Sequence, residues 1–464
     1  MGIVSYGTYL PSCRLDRTNI GKALGAPAGK GTRSVASYDE DTTTMGVEAA
    51  RIALAGAPAG WRPSMVLFAT SDPAYLDKTN ATAIHAALGL DRSIAAYDMV
   101  GSVRSGVGAA RAGAPAGALV IQADIRTGLP GSADEAQGGD GAVAFCYGTE
   151  GSLTDRVSFA STTSEFLDRW RIPGETSKQW EERFGERAYV PLADEAVTDA
   201  LKQAGITADA VDHLIVTGVH PRAARVVAAG IGVRPEAMVD DLTSVIGNTG
   251  TPHGGIVLTD VLDRAKPGET ILLVSLADGA DATVTRTTDA ITGYTAAKTV
   301  RQQLAAPTID VPYPTFLTWR GQLHREPPRR PDPERPAAPV SYRREEWKFG
   351  FSGSRCEACG TRHLPPARVC VKCNAVDQMQ DERLADVQGT IATFTVDRLA
   401  FSLSPPVVAA VIDFDGGGRF QCGMTDVDPA TVKIGDRVEM TFRLVYTADG
   451  IHNYFWKARP AAGA

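Results

Sequence analysis

The clearest chemical signal in the sequence is a pair of Cys-x-x-Cys motifs. Cys356 and Cys359 form the first motif, Cys370 and Cys373 form the second, and residues 360–369 separate them. Each motif places two thiolates on one tight turn, and two such turns complete a tetrahedron around zinc with bonds of about 2.3 Å. Because sulfur fills all four positions, we predict a structural zinc site rather than a catalytic one.

A second signal is the small-residue stretch AAYDMVGSVRSGVGAA at 95–110. A strand that enters a helix through a Gly/Ser turn points free N–H groups and the positive end of the helix dipole at one spot. A nucleophile or an acyl oxygen is expected there, yet the turn residue is Val103, which has no reactive atom. Ser102 and Ser105 are alternative nucleophiles, but no His/Asp set can be assigned to them, so we interpret them as turn and packing residues. Arg104 is either an anion contact or a solvated side chain.

The composition limits the class of protein. A chain of 464 residues predicts two or three domains, and its net charge of −7 disfavours nucleic acid or an anionic membrane as a partner. We find neither a signal peptide nor an apolar run of the ~20 residues that a membrane span requires. Four clustered cysteines with three scattered ones indicate metal binding in a reducing compartment. We therefore predict a cytoplasmic protein without nucleic-acid or membrane partners.

The elements that must position these residues follow the same order twice. Buried strands at 64–70 and 119–123, with the helix that runs through Ala110, are matched by strands at 212–218 and 271–275 with a helix at 254–262. A further helix is predicted at 80–88 in the first half, and one at 194–204 precedes the first strand of the second half. This duplication predicts an α/β layered sandwich with helices between and outside the sheets. An ordinary doubly wound domain is the alternative.

The rest of the chain divides by composition. We place the body at 1–293, a Pro/Arg-rich surface linker at 294–340, a short helix with the zinc ribbon at 341–388, and a five-stranded OB-type barrel at 389–464. Aromatic residues in the barrel could stack nucleic-acid bases. However, 375–464 is acidic overall, which argues against that role.

The body resembles the 3-hydroxy-3-methylglutaryl-CoA synthase branch of the thiolase-like enzymes, most closely the archaeal type. The resemblance rests on several motifs: GIVSYGTYLP at the start, DEDTTTMGVEAA at 39–50, RFGERAY at 183–189, IGNT at 246–249, DRAKPG at 263–268 and TFLTWRG at 315–321. The tail resembles the rubredoxin-like zinc ribbon and OB-fold domain that accompanies such enzymes. That partner is usually a separate subunit joining synthase to thiolase, whereas here it is fused.

The resemblance implies a Cys–His–Asn site with an additional Glu. His220 and Asn248 match the histidine and asparagine, the cysteine position falls on Val103, and the glutamate position falls on or beside Ser71, next to Asp72. No acyl-cysteine can form on valine, so a true synthase reaction is excluded. His220 and Asn248 could still donate to a thioester oxygen. Alternatively, His220 is a core histidine and Asn248 a helix cap.

Further proton carriers near this site are less specific candidates, namely His253, Ser71, Asp72 and Tyr75. His253 could equally be structural. We predict a homodimeric enzyme that makes or breaks a bond at a coenzyme A or carrier-protein thioester without an acyl-cysteine. Aldol or retro-aldol cleavage, decarboxylation and direct acyl transfer are the reactions that fit. The alternative is an inactive scaffold that binds acyl-CoA and docks a partner thiolase.

Overall fold

The first half of the body forms a five-stranded sheet. The computed structural model describes residues 1–25, 29–179, 182–329, 331 and 333–461. The elements of this half are β1 (Gly2–Tyr9), β2 (Cys13–Asp16), α1 (Arg17–Leu24), β3 (Thr32–Val35), α2 (Thr42–Ala55), β4 (Met65–Thr70), α3 (Ala81–Leu88), β5 (Ala95–Val100), α4 (Ser105–Gly113), β6 (Leu119–Asp124), α5 (Ala133–Gln137) and β7 (Gly141–Gly148). The sheet order is β1-β7-β6-β4-β5, with β4 parallel to β5 and β6.

The second half repeats this plan with one strand fewer. Its elements are β8 (Thr154–Thr163), β9 (Arg169–Trp170), β10 (Lys178–Gln179), α6 (Glu182–Ala204), β11 (His213–Gly218), α7 (Pro221–Gly230), α8 (His253–Leu262), β12 (Thr270–Leu276) and β13 (Gly279–Thr287). The sheet order is β11-β12-β13-β8. A strand that would flank β11 as β5 flanks β4 is reduced to a single bridge between Leu214 and Met238.

The helix predicted at 194–204 is longer than expected, since α6 begins at Glu182. Pro191 lies inside it. A proline lacks the N–H that an interior helical hydrogen bond needs, so the sequence favoured a helix that starts after this residue.

The two sheets and the helices form a layered sandwich. Ala109 of α4 and Ile256 of α8 pack in one core with inward-facing residues of both sheets. Helices α2 and α3 cover the outer face of the first sheet, and α6 and α7 cover the outer face of the second. This arrangement confirms the predicted sandwich over a doubly wound domain.

The segment expected to be a surface linker is folded onto the body in its first part. It contains α9 (Val300–Ala305), β14 (Ile309–Asp310) and α10 (Tyr313–Trp319), and β14 pairs with β2. Tyr313 and Phe316 are buried in a cluster with Leu15. This segment differs from the predicted surface linker because burial of its apolar side chains against the body stabilises the folded arrangement.

The remainder forms the ribbon and the barrel. Their elements are α11 (Ala338–Arg343), α12 (Glu345–Lys348), β15 (Ser352–Cys356), β16 (Arg362–His363), β17 (Met379–Arg383), β18 (Gly389–Asp397), β19 (Val407–Phe414), β20 (Arg419–Gly423), β21 (Arg437–Ala448) and β22 (Ile451–Pro460). The five barrel strands have the order β20-β19-β18-β21-β22, and a bridge from Met424 to Ala458 joins the two ends. Among the helices described, we find none with the length and apolar character to traverse a bilayer.

The barrel docks on the body through buried charges. Arg443 of β21 is fully buried, and its guanidinium lies 2.6 Å from Glu40 and 3.7 Å from Asp39 of the body, and 2.5 Å from Asp426 of the barrel itself. Lys457 of β22 lies 2.8 Å from the other oxygen of Asp39. Charges taken out of water are tolerated only when they are paired and hydrogen-bonded. This set therefore fixes how the barrel sits on the body.

Candidate functional site

Val103 lies in the turn between β5 and α4, at the site predicted from the sequence. Gly101 opens this turn with φ of 120°, a conformation that favours glycine. A Cβ on Gly106, in the first turn of α4, would lie 2.9 Å from the backbone oxygen of Thr251. The absence of a side chain there lets α4 approach the loop that follows Asn248. Val103 is half-buried and lines a cavity between the two sheets.

Asn248 is fixed by backbone contacts on both ends of its amide. Its Nδ2 donates to the carbonyl oxygen of Gly218 at 2.7 Å, and its Oδ1 accepts from the N–H of Gly250 at 2.9 Å. Asn248 is therefore a loop-organising residue as well as a candidate donor. One N–H of the amide is used at Gly218, and an amide carries two. The contact joins the Asn248 loop to the end of β11, two residues before His220.

His220 caps the N-terminus of α7. Its Nδ1 accepts from the N–H of Ala223 at 3.0 Å, and the side chain is buried. An imidazole that accepts at Nδ1 carries its proton on Nε2, so this contact selects one neutral tautomer. The sequence predicts a core histidine or a thioester contact at this position, and the helix cap is an additional role that no local motif indicates.

The imidazole edge of His220 faces Gly185 of α6 and Asp168. A Cβ built on Gly185 would lie 2.9 Å from His220 Nε2 and 2.8 Å from Asp168 Oδ2. The glycine of the RFGERAY motif thus makes room for both side chains. Asp168 is buried, and sequence reasoning missed it because a lone aspartate in a loop gives no local signal.

His253 is buried on the first turn of α8. Its Nδ1 accepts from the N–H of Thr249 at 3.3 Å. Burial lowers the pKa of His253 to about 4, so the ring is neutral and weakly basic near pH 7. These properties favour the structural interpretation over a proton carrier.

Asp124, at the end of β6, ties the ends of three segments together. Its carboxylate accepts from Thr70 Oγ1 at 3.0 Å, from the N–H of Ser71 at 2.6 Å and from the N–H of Thr251 at 2.7 Å. A Cβ on Gly250 would lie 2.5 Å from Asp124 Oδ2, so this close approach requires glycine. The sequence reading missed Asp124 because its partners are far away in the chain.

Ser71 and Asp72 lie beside two arginines. Arg126 Nη1 donates to Ser71 Oγ at 3.3 Å, and Arg171 pairs with Asp72 at 3.2 Å. Burial raises the pKa of Asp72, although Arg171 opposes the shift. Burial also lowers the pKa of the Arg126 guanidinium. Cations therefore surround the position where the resemblance expects a glutamate, and sequence reasoning found neither arginine.

Two other side chains make structural contacts. The Tyr75 hydroxyl accepts from the N–H of His452 in the barrel at 2.7 Å, so this tyrosine contacts the docked domain. Arg104 is neither solvated nor an obvious anion site, since it pairs with Asp281 of β13 at 2.9 Å. Of the predicted site residues, the structure brings the Val103 turn, the Asn248 loop and the end of β11 together around one cavity edge. Tyr75 points to the domain interface.

The four cysteines converge as predicted. Their sulfur atoms lie within 4.8 Å of one another, with 3.6 Å between Cys356 and Cys373 and 3.5 Å between Cys359 and Cys370. Sulfurs at about 2.3 Å from a tetrahedral zinc ion are separated by slightly more than these distances. The donor set fits a structural metal and leaves no position for substrate.

Comparisons with protein families identify the tail. Residues 350–380 match the model described as "ChsH2, rubredoxin-like zinc ribbon domain", and residues 382–443 match "ChsH2, C-terminal OB-fold domain". These matches confirm the predicted ribbon and barrel.

Comparisons with known proteins concern the body. The chain is 31% identical over 298 residues to the hydroxymethylglutaryl-CoA synthase of Thermococcus onnurineus, covering 60% of this chain and 84% of the relative. It is 31% identical over 346 residues to that of Aeropyrum pernix, covering 69% and 94%. A solved structure of MvaS in complex with 3-hydroxy-3-methylglutaryl coenzyme A matches with a TM-score of 0.59 and 19% identity, covering 69% of this chain and 91% of that one. 3-Oxoacyl-[acyl-carrier-protein] synthase III of Aquifex aeolicus matches at 0.53 and 20%, covering 61% and 99%.

Proposed function

Because this chain belongs to the hydroxymethylglutaryl-CoA synthase family, we propose that it acts on an acyl thioester of coenzyme A or of a carrier protein, without forming an acyl-cysteine. The family membership supports the thioester as substrate. The residue at the nucleophile position is Val103, which offers no atom that could carry an acyl group. The bond is therefore made or broken directly at the bound thioester.

The observation that carries this proposal is Val103, which stands at the nucleophile position and lines the cavity between the two sheets. Because Nδ1 accepts from Ala223, the proton resides on Nε2, and a neutral imidazole can donate it to an oxygen. In this proposal His220 Nε2 and the second N–H of Asn248 stabilise the negative charge that develops on the thioester oxygen. One such donor contributes about 2.7–4 kcal/mol at the transition state.

Chemistry at the α-carbon fits this arrangement best. In a retro-aldol reaction a base removes the proton of the β-hydroxyl, the bond between the α- and β-carbons breaks, and the electron pair becomes an enolate on the thioester. A proton then returns to the α-carbon. Asp72, which lies next to the position where the resemblance expects the glutamate, is our candidate for the proton transfers. Decarboxylation uses the same enolate, and direct acyl transfer uses the same two donors.

Substitution of the two donors tests the proposal. His220→Asn keeps an oxygen that can cap α7 but removes the Nε2 proton, and Asn248→Ala removes the amide. We expect each to lower turnover of a responsive acyl-CoA by about 100-fold or more while binding of the coenzyme A ester persists. His85→Ala, on α3, is the matched control and should be fully active. Undiminished turnover in both site variants would refute the proposal.

An inactive scaffold is the second candidate function. The absence of a nucleophile at Val103 favours it. In that role the chain would hold acyl-CoA and dock a partner thiolase. A purified chain that turns over no acyl-CoA but co-purifies with an active thiolase would decide for the scaffold.

We also propose a homodimer formed through β5. This strand is the edge of the first sheet, and Tyr97 and Val100 on it are 55% and 42% exposed. Two edges related by a two-fold axis could pair into one continuous sheet. Light scattering should give twice the mass of the chain, and Val100→Lys should shift that mass toward the monomer.

A further inference from the structure

A cavity lies between the two sheets, with about 130 Å³ open to the centres of water-sized molecules. Val103, before the first turn of α4, and Ala114, after its last turn, both line the cavity, as does Thr251. Protein interiors are close-packed, and voids larger than a water molecule are few. A space of this size, running from the predicted reaction centre into the layer between the sheets, therefore needs an explanation.

The cavity exists because the helices that face it carry small side chains. Ala110 of α4 and Gly254 of α8 both line it. A Cβ on Gly254 would lie 3.1 Å from Thr217 Oγ1 and 3.5 Å from Leu273 Cδ1, so even one added carbon would be in tight contact with the wall. A cavity that depends on small residues in both helices is suited to a slender occupant.

The chemistry of the wall changes along its length. Thr251 is 6% exposed and its Oγ1 has no hydrogen-bond partner among the described residues, which favours an oxygen-bearing or N–H-bearing ligand group at the Val103 end. Beyond it the wall is largely apolar, and it includes Val107, Phe145, Leu258, Ile271 and Leu273. Among the described residues that line the wall, Asp281 is the one acidic side chain, and Arg104 pairs with it at 2.9 Å.

We propose that this cavity binds the hydrocarbon chain of the acyl substrate, with the thioester group beside Val103 and Thr251. The proposal rests on the function proposed above and names its substrate class. Val103 and Ala114 both line the cavity, and the helical segment between them is roughly 16 Å long at the helical rise per residue. This length accommodates an acyl chain on the order of 12 carbons. The substrate is thus a medium-chain acyl thioester rather than an acetyl or other short one.

Binding of non-hydrolysable thioether analogues tests the chain-length preference. Acetyl, hexanoyl and dodecanoyl analogues of acyl-CoA are titrated into the full chain by calorimetry. Burial of methylene groups predicts that affinity rises with length, by about tenfold or more between the acetyl and dodecanoyl analogues. Equal affinities would overturn the cavity proposal and leave the proposed function intact. Failure of every analogue and of coenzyme A to bind would refute the function itself.

A substitution that narrows the cavity tests whether the acyl chain binds there. Ala110→Leu extends a side chain into the cavity, and Ala229→Leu makes the same change at an exposed position of α7. We expect Ala110→Leu to abolish the advantage of the dodecanoyl analogue while acetyl binding and the thermal unfolding temperature stay near wild type. The control should bind all three as wild type does. A dodecanoyl advantage that persists in a folded Ala110→Leu protein would show that the chain lies elsewhere, for example with the pantetheine arm occupying the cavity.

Discussion

Removal of the Arg443 guanidinium tests how the barrel is held on the body. In Arg443→Met a side chain of similar length stays buried, but the positive charge is lost. Glu40, Asp426 and Asp39 then lose a partner that lies within 3.7 Å of each. The hydroxyl of Tyr9, which accepts from Arg443 Nη2 at 3.1 Å, also loses a donor.

The magnitude follows from burial. Breaking a buried ion pair by removing one partner costs about 3–5 kcal/mol, because the remaining charge is left uncompensated. The ion pair between Arg419 and Asp413 on the barrel surface supplies a matched control. Its nitrogen and oxygen atoms are 2.6 Å apart, but the two side chains are 65% and 47% exposed. Exposed pairs contribute ~0–1 kcal/mol, so Arg419→Met should cost little.

The assay is guanidinium-induced unfolding of the two variants and of wild type, followed by tryptophan fluorescence. Trp456 is buried in the barrel core and reports on that domain. We expect Arg443→Met to lower the free energy of the first transition by about 3 kcal/mol or more relative to Arg419→Met. Equal effects of the two substitutions would contradict a buried charge contact between the domains.

Three other predictions concern pH, metal and the vacant nucleophile. Burial opposes ionisation of Asp39 and Glu48, but neighbouring cations hold the pKa of each at about 2, whereas burial raises the pKa of Glu40. The two lowered groups stabilise the fold fully above about pH 5, and unfolding measured at falling pH should show this contribution lost toward pH 2, with Glu40 offsetting part of it. Chelation of the metal, or the substitution Cys356→Ser, should unfold the ribbon. The first melting transition should then occur at a lower temperature, and atomic absorption should detect the released zinc. An unchanged melting curve would argue against a structural ion. Val103→Cys should gain an acyl adduct in intact-mass spectra after incubation with acyl-CoA, whereas wild type should gain none; an adduct on wild type would contradict direct chemistry.

Local patterns predicted much of the fold. The strand at 213–218 and the barrel strand at 407–414 have the predicted bounds to within one residue. The first is a continuous apolar run, which is typical of a strand buried on both faces, and the second belongs to the alternating pattern of strands with one buried face. The extent of α6 and the packing of α10 against the body could not be predicted. Pro191 and the neighbouring prolines act locally against a helix, and the tertiary contacts that override them involve residues far away in the chain.

The candidate site was predictable only where a motif carried it. The four-cysteine cluster, the Val103 turn and the Asn248 loop follow from spacing and resemblance. The contacts of Asp124 with Thr251 and of Arg104 with Asp281 span more than a hundred residues, so no local pattern contains them. Tyr75 was chosen for its position near the site, but its partner is a barrel residue whose docking the sequence does not encode locally.

The fusion of the barrel to the body makes their docking an intramolecular event. The ion pairs at Arg443 and Lys457 join residues of one polypeptide, so their formation does not depend on protein concentration. Dilution cannot separate the two domains, and every body carries its own barrel. The ratio of tail to body is therefore fixed at one to one, which separate subunits would not guarantee.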